Sequence, residues 1–183
     1  MKRKLLFAPG DAGSKNYRIP AIITAADGSL VVATDKRKNN QGDLPEDIDV
    51  VIRRSEDGGI TWSEPQTIAE GTGARRGFGD AGLVHTTEEN GLLCIFVGGE
   101  GIFNNSSPSN PTRTYVCKST DNGKTWSAPR DITEQLYGTA CTVTERQGWY
   151  ASFCASGNGL LTKNGRIMFV AAAVSYTHLT LPT

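Results

Sequence analysis

Apolar and polar residues alternate along short segments of the chain, and turn residues separate these segments. Residues 16–25 (NYRIPAIITA) and 29–36 (SLVVATDK) are two such segments, joined by Asp27-Gly28. Alternation with a period of two, interrupted by an Asp-Gly turn, is typical of a β-hairpin. No stretch of about 11 or more residues shows the clean 3.6-residue period of an amphipathic helix. The pattern therefore predicts an all-β protein.

Segments of this kind fall into four-stranded units. Consecutive β units of one kind are typical of repeat architectures, in which each unit buries its apolar face against a neighbour. We expect two complete units and the first half of a third, which begins near Trp149. The predicted strands are 16–25, 29–36, 49–54 and 62–69, then 78–87, 92–98, 112–118 and 126–132, and finally a second strand of the third unit at 165–173.

An eight-residue motif, S-x-D-x-G-x-T-W, is present twice, at 55–62 (SEDGGITW) and 119–126 (STDNGKTW). Gly and Asn tolerate positive φ, and Ser and Asp side chains can bind backbone N–H groups inside a turn. The Trp adds a large apolar face with a single donor, which suits packing against a neighbouring unit. Because both copies continue into Ser and Pro, the motif predicts a repeated hairpin that precedes the last strand of each unit.

S-x-D-x-G-x-T-W resembles the Asp box, or BNR repeat, of sialidases and related β-propellers. The resemblance implies a six-bladed propeller, of which this chain would form about two and a half blades. In that family the box lies between the third and fourth strands of a blade and is structural. The positions that match it are Ser55, Asp57, Gly59, Thr61 and Trp62 in the first copy, and Ser119, Asp121, Gly123, Thr125 and Trp126 in the second.

Arg18 lies in an otherwise apolar strand, where an unpaired charge would be costly to bury. An anionic group should therefore meet it, either Asp35 or Asp43 within the chain or an anionic ligand. Pro20 indicates that this strand is at an edge. The tetrapeptide Tyr-Arg-Ile-Pro at 17–20 resembles the motif near the start of sialidases, which implies that Arg18 is the first of three arginines that bind the substrate carboxylate.

Asp43 lies in the polar loop that follows the second strand. The resemblance implies that Asp43 is the acid/base residue, since sialidases carry that Asp at this spacing before a similar strand. This chemistry needs a carboxyl group on a mobile, partly desolvated loop. Asp47 and Asp49 are nearby alternatives for this role. A further alternative is that the loop is acidic only because it is exposed to solvent.

Arg37 and Asp80 also match sialidase positions. Asp35 and Arg37 share one face of their strand, and the resemblance implies that Arg37 contacts the sugar 4-hydroxyl. It implies that Asp80 contacts the same hydroxyl or the N-acyl nitrogen, although Ala81 stands where the family more often has Pro. The segment 155–160 (ASGNGL) resembles a family loop but lacks its Pro. Walls of an apolar N-acyl pocket, or alternatively core and rim aromatics, are Phe103, Trp149 and Tyr150.

The resemblance implies an exo-α-sialidase, a retaining glycoside hydrolase that releases terminal sialic acid from glycoconjugates without a metal or a cofactor. Its Tyr nucleophile, the partner Glu and two further arginines belong to later blades of the family. We therefore expect no nucleophile in this chain, and we expect the chain by itself to be inactive and poorly soluble. One alternative is a non-catalytic Asp-box propeller that binds carbohydrate or protein. Another is a trans-sialidase, or a sialidase for a deaminated sugar.

Composition adds few constraints. The 19 basic and 19 acidic side chains balance, which gives no reason to expect nucleic acid as a partner. No apolar run approaches the roughly 20 residues of a membrane span, and the apolar run after Met1–Lys4 is shorter than the ~7–15 residues of a signal peptide. The sequence is compatible with an extracellular, a periplasmic or a cytoplasmic location. Free thiols on strands are a better interpretation than a zinc site for Cys94, Cys117, Cys141 and Cys154, because no Cys-x-x-Cys pair is present.

The last ten residues, 174–183 (VSYTHLTLPT), match the translation of a transposon-end adaptor used in sequencing libraries. We therefore expect residues 1–173 to be the N-terminal part of a propeller catalytic domain, and 174–183 to be outside the native sequence. A genuine disordered tail is the alternative.

Overall fold

The first blade is a four-stranded antiparallel sheet. The computed structural model describes residues 4–101, 106–154 and 157–175. In the first blade, β1 (Asn16–Thr24), β2 (Leu30–Arg37), β3 (Ile48–Ser55) and β4 (Gln66–Ala69) follow one another in space as they do in sequence. The Pro-containing strand β1 is an edge strand of this sheet, as predicted.

The second blade repeats this order. It consists of β5 (Phe78–His85), β6 (Leu92–Gly98), β7 (Arg113–Ser119) and β8 (Arg130–Asp131). A one-turn helix, α1 (Thr133–Leu136), follows β8, and short 3-10 turns lie at Asp11–Gly13 and Thr144–Arg146. In the described part of the chain, no helix has the length and apolar character needed to cross a bilayer.

The third unit is the start of a further blade. Its first strands are β9 (Trp149–Cys154), β10 (Gly157–Asn158) and β11 (Leu160–Leu161). β12 (Ile167–Met168) pairs with β11, and β13 (Ala171–Ser175) pairs with β9. β10 also pairs in parallel with β5 of the second blade. The predicted strand at 165–173 is thus present, although it begins later and is divided in two.

β13 extends into the segment predicted to be an adaptor. Val174 and Ser175 continue the strand, opposite Ala151 and Trp149 of β9. Two of the ten residues expected to be foreign to the protein therefore lie in an ordered pairing. Residues 176–183 lie outside the described part of the chain.

The core lies between the first two blades. Side chains of β2 and β3 on one sheet pack against those of β5, β6 and β7 on the other, which removes them from water and supplies the main stabilising term. Trp126 of the second Asp box packs against this core. The buried core residues include Val31, Ala33, Val50, Ile52, Leu83, Leu92, Cys94, Phe96 and Cys117.

Both Asp boxes are turns held by side-chain hydrogen bonds. Ser55 Oγ donates to Asp57 Oδ1 and accepts the Gly59 N–H, each at 2.8 Å. Asp57 in turn accepts the N–H (2.8 Å) and the hydroxyl (2.6 Å) of Thr61, and Trp62 Nε1 donates to the Gly59 carbonyl at 3.1 Å. The second box repeats these bonds, at 2.6 to 3.2 Å, through Ser119, Asp121, Gly123, Thr125 and Trp126.

The fourth strands are shorter than predicted. The expected ranges were 62–69 and 126–132, whereas β4 begins at Gln66 and β8 spans only Arg130–Asp131. The indole of each Trp bonds back to a carbonyl of its own turn. The Trp is thus the last residue of the box and not the first of a strand.

The cysteines are free, and the expectation that all lie on strands was wrong for one of them. Cys94, Cys117 and Cys154 lie on β6, β7 and β9, but Cys141 is buried in the loop that follows α1. Burial raises the pKa of Cys117 to about 12. Among the described residues, no group of three or more Cys, His, Asp or Glu is arranged to hold a metal ion.

Candidate active site

Arg18 and Asp43 face each other at the open edge of the first blade. Arg18 Nη1 lies 3.6 Å from Asp43 Oδ1, and their side chains are 46% and 68% exposed. The guanidinium of Arg18 is partly exposed, and β1 is an edge strand of its sheet. The partial desolvation expected for Asp43 is not observed. The anionic group that meets Arg18 within this chain is the Asp43 carboxyl.

Arg37 joins this pair from the adjacent strand. Its guanidinium is buried, with 1% of the side chain exposed, and its Nη2 donates to Asp43 Oδ1 at 2.6 Å. Nη1 donates to the Gln41 carbonyl at 2.8 Å, and Arg18 Nη1 points to the same oxygen at 3.4 Å. The carbonyl of Gln41 thus helps to hold both guanidinium groups beside Asp43. This contact could not be predicted from the sequence, because a backbone carbonyl makes it.

Asp35 lies behind Arg37. The two side chains share a face of β2, as predicted, and Arg37 Nη2 lies 3.2 Å from Asp35 Oδ2. Asp35 is 1% exposed and also accepts the backbone N–H of Asp80 at 2.9 Å. The structure therefore brings Asp80, from the second blade, into the same cluster as Arg37 and Asp43.

The carboxyl groups of the cluster are electrostatically perturbed. Burial raises the pKa of Asp35 to about 8, with repulsion from Asp80 adding to the rise and the charge of Arg37 opposing it. Burial also raises the pKa of Asp80, and repulsion from Asp43 adds to this, while Arg37 and Arg18 lower it. Shifted carboxyl groups beside two guanidinium groups are typical of functional sites.

The inner strands are interrupted where they meet the site. The pairing of β1 shifts between Arg18 and Ala21, and that of β5 between Gly79 and Gly82. Each interruption contains a non-glycine residue with positive φ, Ile19 at 57° and Asp80 at 58°. Such a conformation costs about 1–3 kcal/mol and persists where the surrounding structure imposes it, often at binding sites. Both interruptions lie beside residues of the site, Arg18 in β1 and Asp80 in β5.

The alternative acids near Asp43 have other partners. Asp47 lies 3.1 Å from Lys38 Nζ. Asp49 is buried, lies 2.9 Å from Lys38 Nζ and 3.4 Å from Lys36 Nζ, and accepts the Gly71 N–H at 2.8 Å. Both carboxyl groups therefore have structural roles beside lysines, which leaves Asp43 as the acid that faces Arg18.

The predicted aromatic walls are only partly described. Trp149 and Tyr150 are half-buried at the start of β9, and the Arg146 guanidinium lies 5.9 Å from the Trp149 ring centre. Both line a cavity of about 450 Å³ together with Tyr137 and Pro111. Phe103 and residues 155–156 of the predicted loop lie outside the described part of the chain.

The comparisons with known proteins identify the family of the chain. Residues 28–180 match the family described as BNR repeat-like domain. The chain belongs to the BNR-repeat sialidase family.

Relatives of known function carry the sialidase name. A sialidase of Bacteroides fragilis is 31% identical over 93% of this chain and 32% of its own length. A sialidase of Micromonospora viridifaciens is 34% identical over 85% of this chain and 24% of its own length. The chain thus spans about a third or less of these sialidases.

A solved structure gives the same result. The Hadza microbial sialidase superposes with a TM-score of 0.78 and 26% identity, over 91% of this chain and 34% of its own. The near-absence of helix, the open sheets and this likeness confirm the predicted partial β-propeller of the sialidase family.

Proposed function

We propose that this chain forms the first blades of an exo-α-sialidase, a retaining glycoside hydrolase that releases terminal sialic acid from glycoconjugates. The observation that carries the proposal is the cluster of Arg18, Arg37 and Asp43, in which two guanidinium groups flank one exposed carboxyl group. Sialic acid is an acidic sugar, and a guanidinium group binds a carboxylate well because it can donate two parallel hydrogen bonds.

In this proposal Arg18 binds the carboxylate of the sugar. Its contact with Asp43 is long, at 3.6 Å, and both side chains are open to solvent. A substrate carboxylate can therefore take the place of Asp43 at the guanidinium group.

Asp43 then acts as the acid/base residue. It donates a proton to the leaving glycosidic oxygen and later removes a proton from the attacking water. Arg37 and Asp80 contact the sugar, in the region of the 4-hydroxyl group. No cofactor enters this scheme.

The nucleophile is proposed to come from outside this chain. Sialidases use a Tyr where most retaining glycosidases use a carboxylate. Of the tyrosines here, Tyr17 donates to the Asp11 carbonyl at 2.9 Å and Tyr137 is buried, donating to the Thr112 carbonyl. Tyr115 packs against Phe78, with ring centres 5.1 Å apart. These roles support the proposal that the chain alone lacks activity.

The test is hydrolysis of a fluorogenic aryl sialoside by the complete protein and by residues 1–183 alone. We expect turnover by the complete protein and none by the chain. Sialoside binding without turnover by the complete protein would contradict the proposal and favour a non-catalytic propeller.

A further inference from the structure

The two pocket residues that the proposed function assigns to one region of the sugar belong to different blades. Arg37 is at the end of β2, and Asp80 lies in the interruption of β5. Their relative position therefore depends on how the first two blades meet. One buried side chain, Asp35, touches both.

The two oxygens of the Asp35 carboxyl group have separate partners. Oδ2 lies 3.2 Å from Arg37 Nη2, within the first blade. Oδ1 accepts the backbone N–H of Asp80 at 2.9 Å, across the boundary to the second blade. Asp80 has a φ of 58° and lies where the pairing of β5 with β6 shifts, between Gly79 and Gly82. A single carboxyl group thus fixes a side chain of one blade and a backbone position of the other.

Gly79 allows this contact because it has no side chain. A Cβ atom at that position would lie 3.0 Å from Asp35 Oδ2 and 3.3 Å from its Cγ. Contacts that short force one of the groups to move. The absence of a side chain at position 79 therefore lets β5 approach the carboxyl group closely.

Burial of Arg37 and Asp35 at the boundary between the blades costs free energy of hydration. A buried guanidinium–carboxyl pair is often no more stabilising than apolar residues of the same volume, because its polar groups lose water. Arg37 and Asp35 are both 1% exposed, and Arg37 Nε is buried with no hydrogen-bond partner among the described residues. Such a pair is better explained by what it positions than by its contribution to stability.

We propose that Asp35 is a positioning residue, which holds Arg37 and Asp80 at the distance that the sugar requires. The inference rests on the proposed function, since it concerns the same site. Without Asp35, Arg37 keeps only Asp43 and the Gln41 carbonyl as partners, and the Asp80 N–H loses its acceptor. Both pocket residues would then shift, although neither has been changed.

The experiment compares Asp35→Ala and Asp35→Asn in the complete protein on two aryl sialosides, one with the 4-hydroxyl group and one 4-deoxy. Asp35→Asn keeps an oxygen for the Asp80 N–H but places an amide NH2 group, which cannot accept a hydrogen bond, beside Arg37. We expect kcat/KM of Asp35→Ala to fall about 30- to 100-fold on the 4-hydroxy sialoside but less than about threefold on the 4-deoxy sialoside. Asp35→Asn should show an intermediate, equally selective loss.

Asp49→Asn is a matched control. Asp49 is also a buried carboxyl group of the first blade. It pairs with Lys38 and accepts a backbone N–H. Its replacement should lower the thermal midpoint and leave the ratio of the two substrates unchanged. Gly79→Ala adds an independent variant, since it displaces the Asp35 contact while every charge is kept.

The outcomes separate the two proposals. Equal losses on both sialosides, for Asp35→Asn and for Gly79→Ala, would overturn the positioning role and leave Asp35 as a stability residue. A wild-type complete protein that hydrolyses neither sialoside would instead overturn the proposed function, and the positioning role with it.

Discussion

At the scale of single residues, Arg18 differs from the arginine beside it. Arg37 is enclosed and has several acceptors, whereas Arg18 is 46% exposed and has one distant carboxylate. An exposed ion pair contributes little to stability, typically about 0–1 kcal/mol. Arg18 can therefore give up its partner to a ligand at small cost, which fits a residue that binds substrate.

Arg18→Gln should weaken substrate use without weakening the fold. Loss of a hydrogen bond to a charged group costs about 1.5–3 kcal/mol, so kcat/KM for an aryl sialoside should fall by about 10- to 100-fold. The matched control is Arg113→Gln, because Arg113 is 48% exposed and pairs with Asp131 at 3.1 Å. Steady-state kinetics of the complete protein would measure both. Similar losses in the two variants would argue against a binding role for Arg18.

The first Asp box predicts an acid-sensitive turn. Hydrogen bonds from the hydroxyl and the N–H of Thr61 lower the pKa of Asp57 to about 2, from an ordinary value of 3.8. Since the pKa is lower in the folded state, the stabilisation is present above about pH 4 and is lost as the pH falls towards 2. Thr61→Val removes one donor, so it should reduce the loss of thermal stability between about pH 5 and pH 2.

The control for this prediction is Thr67→Val, at an exposed position of β4. It removes a hydroxyl group from the same blade but not from the box. Thermal unfolding followed by circular dichroism at several pH values would measure the effect. An unchanged acid profile in Thr61→Val would mean that the box does not hold Asp57 in its ionised form.

At the scale of elements, the second Asp box also contributes to the boundary between blades. Gly59 and Gly123 occupy the same position in their boxes, with φ of 90° and 80°. A Cβ at Gly59 would lie 3.6 Å from Leu30 of its own blade, whereas a Cβ at Gly123 would lie 2.9 Å from Val31 of the preceding blade. Gly59 is therefore required for its positive φ alone, whereas Gly123 is required both for its positive φ and for the space that a side chain would fill.

Gly123→Ala should be more destabilising than Gly59→Ala. Both substitutions strain a left-handed residue, at about 1–2 kcal/mol each. Gly123→Ala adds a clash in a packed boundary, typically about 1–3 kcal/mol more. Denaturant unfolding of the two variants and the wild type would measure the difference. Equal destabilisation would show that the boundary can open to accommodate a methyl group.

The sequence was a good guide to elements with a local signal. Alternation located the strands of the first two blades, and the Ser, Asp and Gly of the boxes predicted turns whose bonds the structure contains. The interruptions of β1 and β5 were not predicted, because a β-branched Ile19 gives no signal for positive φ and a single Asp80 gives only a weak one. That conformation is imposed by tertiary contacts and not by local preference.

The candidate site could likewise be predicted only where a local motif indicated it. Arg18, Arg37 and Asp43 could be predicted from a resemblance of short motifs, and the structure places their charged groups together. The double role of Asp35 could not be predicted, because its partner Asp80 is 45 positions away in sequence and is bound through the backbone. A contact between blades has no local sequence pattern.

At the scale of the whole molecule, the third unit differs from the first two blades. Large apolar side chains of this unit are open to solvent, with Leu160 60%, Met168 54% and Val170 79% exposed. In the second blade, Leu83 and Phe96 are almost fully buried. A propeller blade buries such side chains against its neighbour. These faces therefore fit our proposal that further blades of a longer sialidase pack beside this unit.

The central claim is that Asp43 transfers a proton to the leaving group of an acidic sugar held by Arg18. The most direct test is the activity of Asp43→Asn in the complete protein on two substrates, an aryl sialoside with an acidic phenol leaving group and sialyllactose. A phenol needs little protonation to leave, whereas a sugar hydroxyl needs it strongly. We predict a loss in kcat of about 10²–10⁴-fold on sialyllactose and a much smaller loss on the aryl sialoside. Equal losses on the two substrates would contradict the assignment of Asp43 as the acid.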